Sequence, residues 1–212
     1  MSHPVRIVVG LGNPGPRYAA TRHNAGRWFV EGLGERLGVG LRAEPRLGAQ
    51  LGWGSLAGTR VALAVPEAWM NESGRPVRAL LDYYRLPREA LLVAHDDLDL
   101  PPGVARLKHG GGHGGHNGLR DLIAHLGDGS FGRLRLGIGH PGERDAVTPW
   151  VLSPPSAAER EAIEGAIARA LEVVEPLVRG DWAAAQRVLH AREARAVVRG
   201  NGPTPGDAAD GA

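Results

Sequence analysis

The chain has no cysteine, two methionines and two phenylalanines. Without cysteine there is no disulfide, no thiolate nucleophile and no Cys-ligated zinc. Serine offers no obvious substitute. A G-x-S-x-G elbow does not occur, since Ser55 and Ser130 each lack the first glycine. A hydrolase built from the remaining groups would have to activate water directly. Long hydrophobic runs are also missing. No stretch approaches the roughly 18 apolar residues of a membrane span, and the apolar part of MSHPVRIVVG is too short for a signal peptide. The default expectation is a cytoplasmic protein with no membrane partner. Lysine is scarce, and almost all of the 25 cations are arginine, whose planar fork suits phosphate. An Ala-, Gly- and Arg-rich composition also follows from a GC-rich genome. The formal net charge is only +2 despite a pI of about 9.5, so placement says more than the total. Arg106, Lys108, Arg120, Arg133 and Arg135 crowd one part of the chain.

At 212 residues, with 42% hydrophobic and 23% charged side chains, the chain is long enough for one domain with a full core. Val5 to Val9 reads as a buried strand, followed by the polar turn GLGNPGPRY. A helix is expected from Asn24 to Leu37, then a hairpin of 46–55 and 60–65 around Ala57-Gly58-Thr59. Further helices are expected at Pro76 to Arg85 and Leu119 to Leu126, and further strands at Leu91 to Ala94, Val104 to Lys108 and Arg133 to Ile138. Strands interleaved with helices imply an α/β class: one domain with a mixed, partly parallel sheet surrounded by helices. Ser156 and Glu159 form a capping-box signature ahead of an apolar stripe of Ile163, Ile167, Leu171, Val174 and Val178. A last helix is expected from the N-cap Asp181 to about Val198. The expected domain is therefore 1–199, with 200–212 a disordered tail that lacks apolar periodicity.

The densest signal is KHGGGHGGHNGLRD, residues 108–121. Glycine is costly in regular structure, so such a run implies unusual backbone angles, and its imidazoles and amide imply a loop lining a polar site. A flexible linker is the bland reading, but linkers carry Gly with Ser rather than with His. Gly10, Gly12 and Gly15 fit G-x-G-x-x-G after a strand, yet prolines flank Gly15 and the expected acidic residue on a second strand is missing. Asn13 is then either a ligand-facing amide at a strand end or the head of an Asx-turn before Pro14. His23, just before the first helix, has the natural pKa of a general base, though a lone histidine is usually structural. His95, Asp96, Asp97 and Asp99 cluster at a strand end, where they would hold a metal, orient a histidine or simply cap a solvated turn. His113 and His116 lack the helical presentation of an H-E-x-x-H site, which weakens the metal reading.

Five blocks in order resemble the bacterial peptidyl-tRNA hydrolase family: VGLGNPGPRYAATRHNAG (Val9 to Gly26), WMNESG (Trp69 to Gly74), LLVAHDDLDLPPG (Leu91 to Gly103), KHGGGHGGHNGLRD (Lys108 to Asp121) and RLRLGIGHPG (Arg133 to Gly142). The likeness extends over about 5–195 and not into the tail. It implies a monomeric α/β fold that hydrolyses the ester between a peptide and the 3′-terminal ribose of tRNA, with no metal and no cofactor. It implies His23 as the general base for water and Asp96 as the carboxylate that orients it. Asn13 corresponds to the residue separating N-blocked peptidyl-tRNA from free aminoacyl-tRNA, and Asn71 and Asn117 to substrate-binding amides. Tyr18 corresponds to a tRNA-contacting residue, and Met70 and His116 line the same crevice. Lys108 and Arg135 correspond to a basic pair for the tRNA 5′-phosphate. Trp69 stands where the family commonly has Phe, and an indole can still stack on a base or an apolar group. Apart from this likeness, two readings stay open: a metal-dependent phosphoesterase using His95, Asp96, Asp97 and the loop histidines, and a non-catalytic RNA-binding module in which His23 is dispensable.

Overall fold

The runs 7–10, 61–66 and 91–94 are apolar at every position because the sheet they form is covered on both faces. A computed structural model describes residues 3–200, with side chains as far as residue 191. The strands are β1 (Ile7–Gly10), β2 (Arg42–Glu44), β3 (Ala49–Leu56), β4 (Thr59–Pro66), β5 (Leu91–Asp97), β6 (Ala105–His109) and β7 (Gly132–Gly137). They form one mixed sheet in the order β2-β3-β4-β1-β5-β7-β6. β1 runs parallel to β4 and β5, and β5 parallel to β7; β2, β3 and β6 pair antiparallel with their neighbours. The helices are α1 (Ala25–Leu37), α2 (Gly74–Tyr84), α3 (Asn117–Leu126), α4 (Val147–Val151), α5 (Ala157–Leu171), α6 (Val174–Val178) and α7 (Trp182–Gly200). Alternate strand residues feed two cores. Val8, Leu92 and Leu134 pack with side chains of α1, α5, α6 and α7. Ile7, Val9 and Val93 pack with those of α2 and α3.

The expected α/β class with a mixed, partly parallel sheet is what the chain forms. Several boundaries differ. The hairpin closes on two residues, Ala57 and Gly58, both at positive φ as a type I′ turn requires, and Thr59 already belongs to β4. Its first strand starts at Ala49 rather than Arg46, because 45–48 form a turn from the extra strand β2. β5 runs on through Asp97, so His95 and Asp96 are strand residues rather than parts of a solvated turn. The stripe from Ile163 to Val178 is divided between α5 and α6. Pro176 lacks an N–H for the carbonyl of Glu172 and crowds it, so one helix cannot run through. The capping box at Ser156 and Glu159 is formed, and Asp181 caps α7 through the N–H of Ala184. The tail proposed after Gly200 lies outside the described residues.

The glycines of the first turn serve close packing. A Cβ on Gly10 would overlap the carbonyl of Gly26, and one on Gly26 would overlap the carbonyl of Ala94. The Leu11 N–H donates to Ala94 O at 3.0 Å, and the Arg27 N–H to Leu11 O at 3.0 Å. The ends of β1 and β5 and the start of α1 are thereby in backbone contact. A residue just before α1 and one two positions past Ala94 must then meet at the carboxyl ends of the parallel strands, where α/β sheets place their ligands.

Candidate active site

The residues that meet there are His23 and Asp96. His23 is the middle of a single 3-10 turn, Arg22–Asn24, leading into α1. Both of its neighbours are anchored. The buried Arg22 guanidinium donates to Ser153 Oγ (2.8 Å), Pro154 O (3.0 Å) and Glu159 Oε2 (2.8 Å), and lies 3.6 Å from the Trp150 ring centre. Asn24 is fully buried, and its side chain reaches back along the chain. Its Oδ1 accepts from the Asn13 N–H (2.8 Å) and its Nδ2 donates to Asn13 O (3.0 Å). The turn carrying His23 is thus fixed to α4–α5 on one side and to the end of β1 on the other.

His23 Nδ1 lies 2.9 Å from Asp96 Oδ1 and 2.8 Å from Oδ2. His116 approaches the same carboxylate, Nε2 to Oδ1, at 2.9 Å. The tautomers follow from the partners. His116 is the N-cap of α3, and its Nδ1 accepts from the Leu119 N–H (3.2 Å), so in the neutral ring the proton is on Nε2 and points at Asp96. His23 needs its Nδ1 proton for Asp96, which leaves its Nε2 as the basic lone pair. Burial opposes the charge on Asp96, but the charges of His23 and His116 and the hydrogen bonds from both outweigh it and hold the carboxyl well below the usual range. Burial likewise works against protonated His23, yet Asp96's charge and hydrogen bond prevail and raise the imidazole above its ordinary 6.5. His95 lies beyond His116, with ring centres 5.1 Å apart, and donates Nδ1–H to Asp96 O (2.7 Å). Burial, then the charge of His116, pushes His95 down to about 3, so it stays neutral.

His23, Asp96 and His116 place one ligand atom each within 4.8 Å of one another, close enough to suggest a metal ion. Their donor chemistry does not fit one. A metal on His116 Nε2 would leave the neutral ring's proton on Nδ1, facing the Leu119 N–H donor. The carboxylate–imidazole distances of 2.8–2.9 Å are those of charge-assisted hydrogen bonds.

The pair opens into a crevice of about 830 Å³. All of the expected site residues line it except Tyr18, which packs edge-on against Trp69 at 5.6 Å. Trp69 is 49% exposed, so the larger side chain at this position stands at the rim without displacing the core. Asn13 Oδ1 accepts from the Met70 N–H at 2.8 Å. That bond fixes which way the amide faces and leaves its Nδ2 donors for the crevice. Asn71 follows in the turn Met70–Glu72, and Asn117 opens α3. Arg106, Lys108, Arg133 and Arg135 share one face of the β6–β7 ribbon, since Lys108 stands opposite Arg133 and Arg106 opposite Arg135. Lys108 is exposed. Arg135 is partly committed: its Nε donates to Asp97 Oδ2 at 2.6 Å, and Asp99 lies 3.8 Å away.

Sequence reasoning gave Arg22 and Asn24 no role and counted Arg133 only as one cation of a basic cluster. Arg133 is 3% exposed and donates to the carbonyls of Gly111 and Gly112. The loop it grips holds positive φ at Gly110, Gly111, Gly114 and Gly115, as the glycine density requires. Arg133→Met should leave these carbonyls without their charged donor and cost roughly 2 kcal/mol or more. Hydrogen exchange is expected to quicken at Gly110 to His116 before the sheet is affected; unchanged protection there would rule out the anchoring role.

Known proteins resemble this chain over most of its length. The model of a family described as peptidyl-tRNA hydrolase matches residues 7–196. A peptidyl-tRNA hydrolase of Azotobacter vinelandii is 51% identical over 191 residues, covering 90% of this chain and 98% of that protein. One from Tolumonas auensis is 48% identical over 197 residues, covering 92% of this chain and 100% of the other. The crystal structure of peptidyl-tRNA hydrolase from Acinetobacter baumannii superposes with a TM-score of 0.87 at 46% identity, covering 90% of this chain and 98% of that one.

Proposed function

The chain belongs to the peptidyl-tRNA hydrolase family, and on that premise we propose which residues of the crevice do the work. The reaction is hydrolysis of the ester that joins a peptide to the 3′-terminal ribose of tRNA. The observation that carries the assignment is the buried His23–Asp96 pair at the wall of the crevice, where the hydrogen bond from Nδ1 to Asp96 makes Nε2 the lone pair of the neutral His23 ring. His23 Nε2 takes a proton from water as the water oxygen attacks the ester carbonyl. The tetrahedral intermediate expels the ribose oxygen, which recovers the proton from His23. Asp96 keeps the ring in the required tautomer and stabilises its charge while it is protonated. No step is routed through a metal.

Asn13 supplies selectivity. With Oδ1 held by the Met70 N–H, its amide offers N–H donors. A peptide carbonyl accepts them, whereas the free ammonium of an aminoacyl ester is itself a donor and meets no acceptor. Asn71 and Asn117 bind the groups flanking the ester, with Met70 and His116 beside them, and Tyr18 and Trp69 form an aromatic ledge at the rim. Lys108 and Arg135 hold a phosphate of the tRNA. Arg135 contributes the smaller charge of the two, being paired to Asp97. No helix among the described residues is long and apolar enough to cross a membrane. We place the protein in the cytoplasm as a monomer that uses no cofactor.

The test is single-turnover hydrolysis, in EDTA, of N-acetyl-aminoacyl-tRNA beside the unblocked aminoacyl-tRNA. Wild type is expected to release tRNA from the blocked substrate and leave the other nearly intact. Asn13→Ala should narrow that gap while tRNA affinity changes little. Equal loss on both substrates would remove Asn13 from the selectivity role, and no release by wild type in EDTA would remove the metal-free mechanism.

A further inference from the structure

His116 lines the crevice wall, and its two ring nitrogens perform different tasks. Nδ1 caps α3 by accepting the Leu119 N–H, and because that fixes the tautomer, Nε2–H is directed at Asp96 Oδ1. Asp96 is 2% exposed, so solvent does little to screen it. One carboxylate therefore divides its charge between two imidazoles, whose ring centres lie 5.0 Å apart.

We propose that His116 is a positioning residue for hydrolysis: by holding Asp96 Oδ1 it limits the charge that Asp96 presents to His23 Nδ1, and so sets how strongly the pair holds the proton taken up at His23 Nε2. This rests on the reading of His23 as the general base. The cap gives the arrangement its direction. As long as the helix start holds Nδ1 as an acceptor, His116 can serve Asp96 only as a donor.

Other charges near His23 do not take this part. Arg22, next in the chain, is directed to Glu159, and Arg27 of α1 pairs with Glu31. α4, packed against the same turn, carries no titratable side chain. His95 faces His116 and donates to a main-chain carbonyl rather than to the Asp96 carboxylate. In the wider crevice Arg135 is held by Asp97, and Lys108, Arg120 and Arg144 line the walls.

Two substitutions separate the two nitrogens. In His116→Asn the amide oxygen stands near the place of Nδ1 and keeps the cap, but the side chain is too short to reach Asp96. In His116→Gln the terminal NH₂ stands near the place of Nε2 and keeps the donor, while the cap is lost. The readout is the His23 titration, followed by NMR of imidazole nitrogens without substrate, together with kcat and KM against pH on N-acetyl-aminoacyl-tRNA. His116→Asn is expected to raise the His23 midpoint by roughly half a unit to one unit, since a carboxylate relieved of one donor favours the imidazolium more. The acid limb of kcat should move with it and KM should stay nearly constant. His116→Gln should keep the wild-type midpoint. An unmoved His23 midpoint in His116→Asn overturns the proposal, as does a rise in KM alone, the mark of a substrate-wall residue. A midpoint shift in His116→Gln but not in His116→Asn would overturn it in favour of capping. Failure of the underlying reading looks different: the His23 midpoint would shift as expected while the acid limb of kcat stayed in place.

Discussion

His23→Ala is expected to lower the single-turnover rate on N-acetyl-aminoacyl-tRNA by at least the ~10² to 10⁴ that a general base contributes. Affinity for tRNA should be little changed. On the proposed roles the fall belongs in kcat, because Nε2 acts on water and the cations of the β6–β7 ribbon take the phosphates. The pH dependence supplies a second signature. The base works only when neutral, so the wild-type rate must rise with pH through the His23 midpoint, which Asp96 places above 6.5. In His23→Ala that limb should vanish, leaving a slow rate that follows hydroxide. Stability runs the other way. The raised His23 pKa contributes stability that is complete below its unfolded value and is lost as pH rises through the folded one. The depressed Asp96 pKa contributes stability present above its unfolded value and lost as pH falls. The site is therefore most tightly held in mildly acid solution, where the enzyme works least. A wild-type rate in His23→Ala, or an unchanged acid limb, would show that another group activates the water.

Much of this was legible in the chain, and what was not has physical reasons. Short runs rich in Val, Leu and Ala give β1, β4 and β5, and the Arg/Leu alternation gives β7, so these strands were found to within a few residues. The Gly/His segment announced its backbone through composition, and four of its glycines do take positive φ. The stripe through Val174 and Val178 misled because the apolar period continues across the break that Pro176 imposes. Asn24 looks like an ordinary residue at a helix start; nothing local shows that its side chain crosses to the main chain of Asn13. Arg133 looks like one more cation on an exposed ribbon, and only the folded glycine loop brings carbonyls to its guanidinium. His23 and Asp96 stood out in their separate segments, but their pairing came from family likeness. The packing of Gly10 on Gly26, and of Gly26 on the backbone at Ala94, is what makes that pairing a geometric fact.

Asp96→Asn should cost nearly as much as losing His23, and for a reason specific to this site. Both imidazoles are donors to Asp96. An amide keeps one acceptor oxygen and replaces the other with an NH₂ group, so one imidazole must meet a donor. His116 cannot adapt, since the Leu119 N–H holds its Nδ1 as an acceptor and its proton on Nε2. The amide oxygen is therefore drawn to His116, and the NH₂ faces His23 Nδ1. His23 then accepts at Nδ1 and carries its proton on Nε2, the atom that should be taking one from water. In a Ser-His-Asp protease the same exchange of carboxylate for amide lowers kcat by about 10⁴ through the wrong tautomer, and a loss of roughly 10³ to 10⁴ is expected here. With the carboxylate gone, burial acts alone and should carry the His23 midpoint below 6.5. Imidazole nitrogen shifts would report both changes, the proton on Nε2 at neutral pH and the lowered midpoint. If Asp96→Asn stayed within about tenfold of wild type with the proton still on Nδ1, neither orientation nor charge from Asp96 would be needed. If the tautomer changed and the rate did not, His23 would not be the base. Relieving the conflict from the other side gives the closing check: His116→Asn in the Asp96→Asn background removes the competing donor, frees the amide to turn its oxygen toward His23, and should recover part of the lost rate.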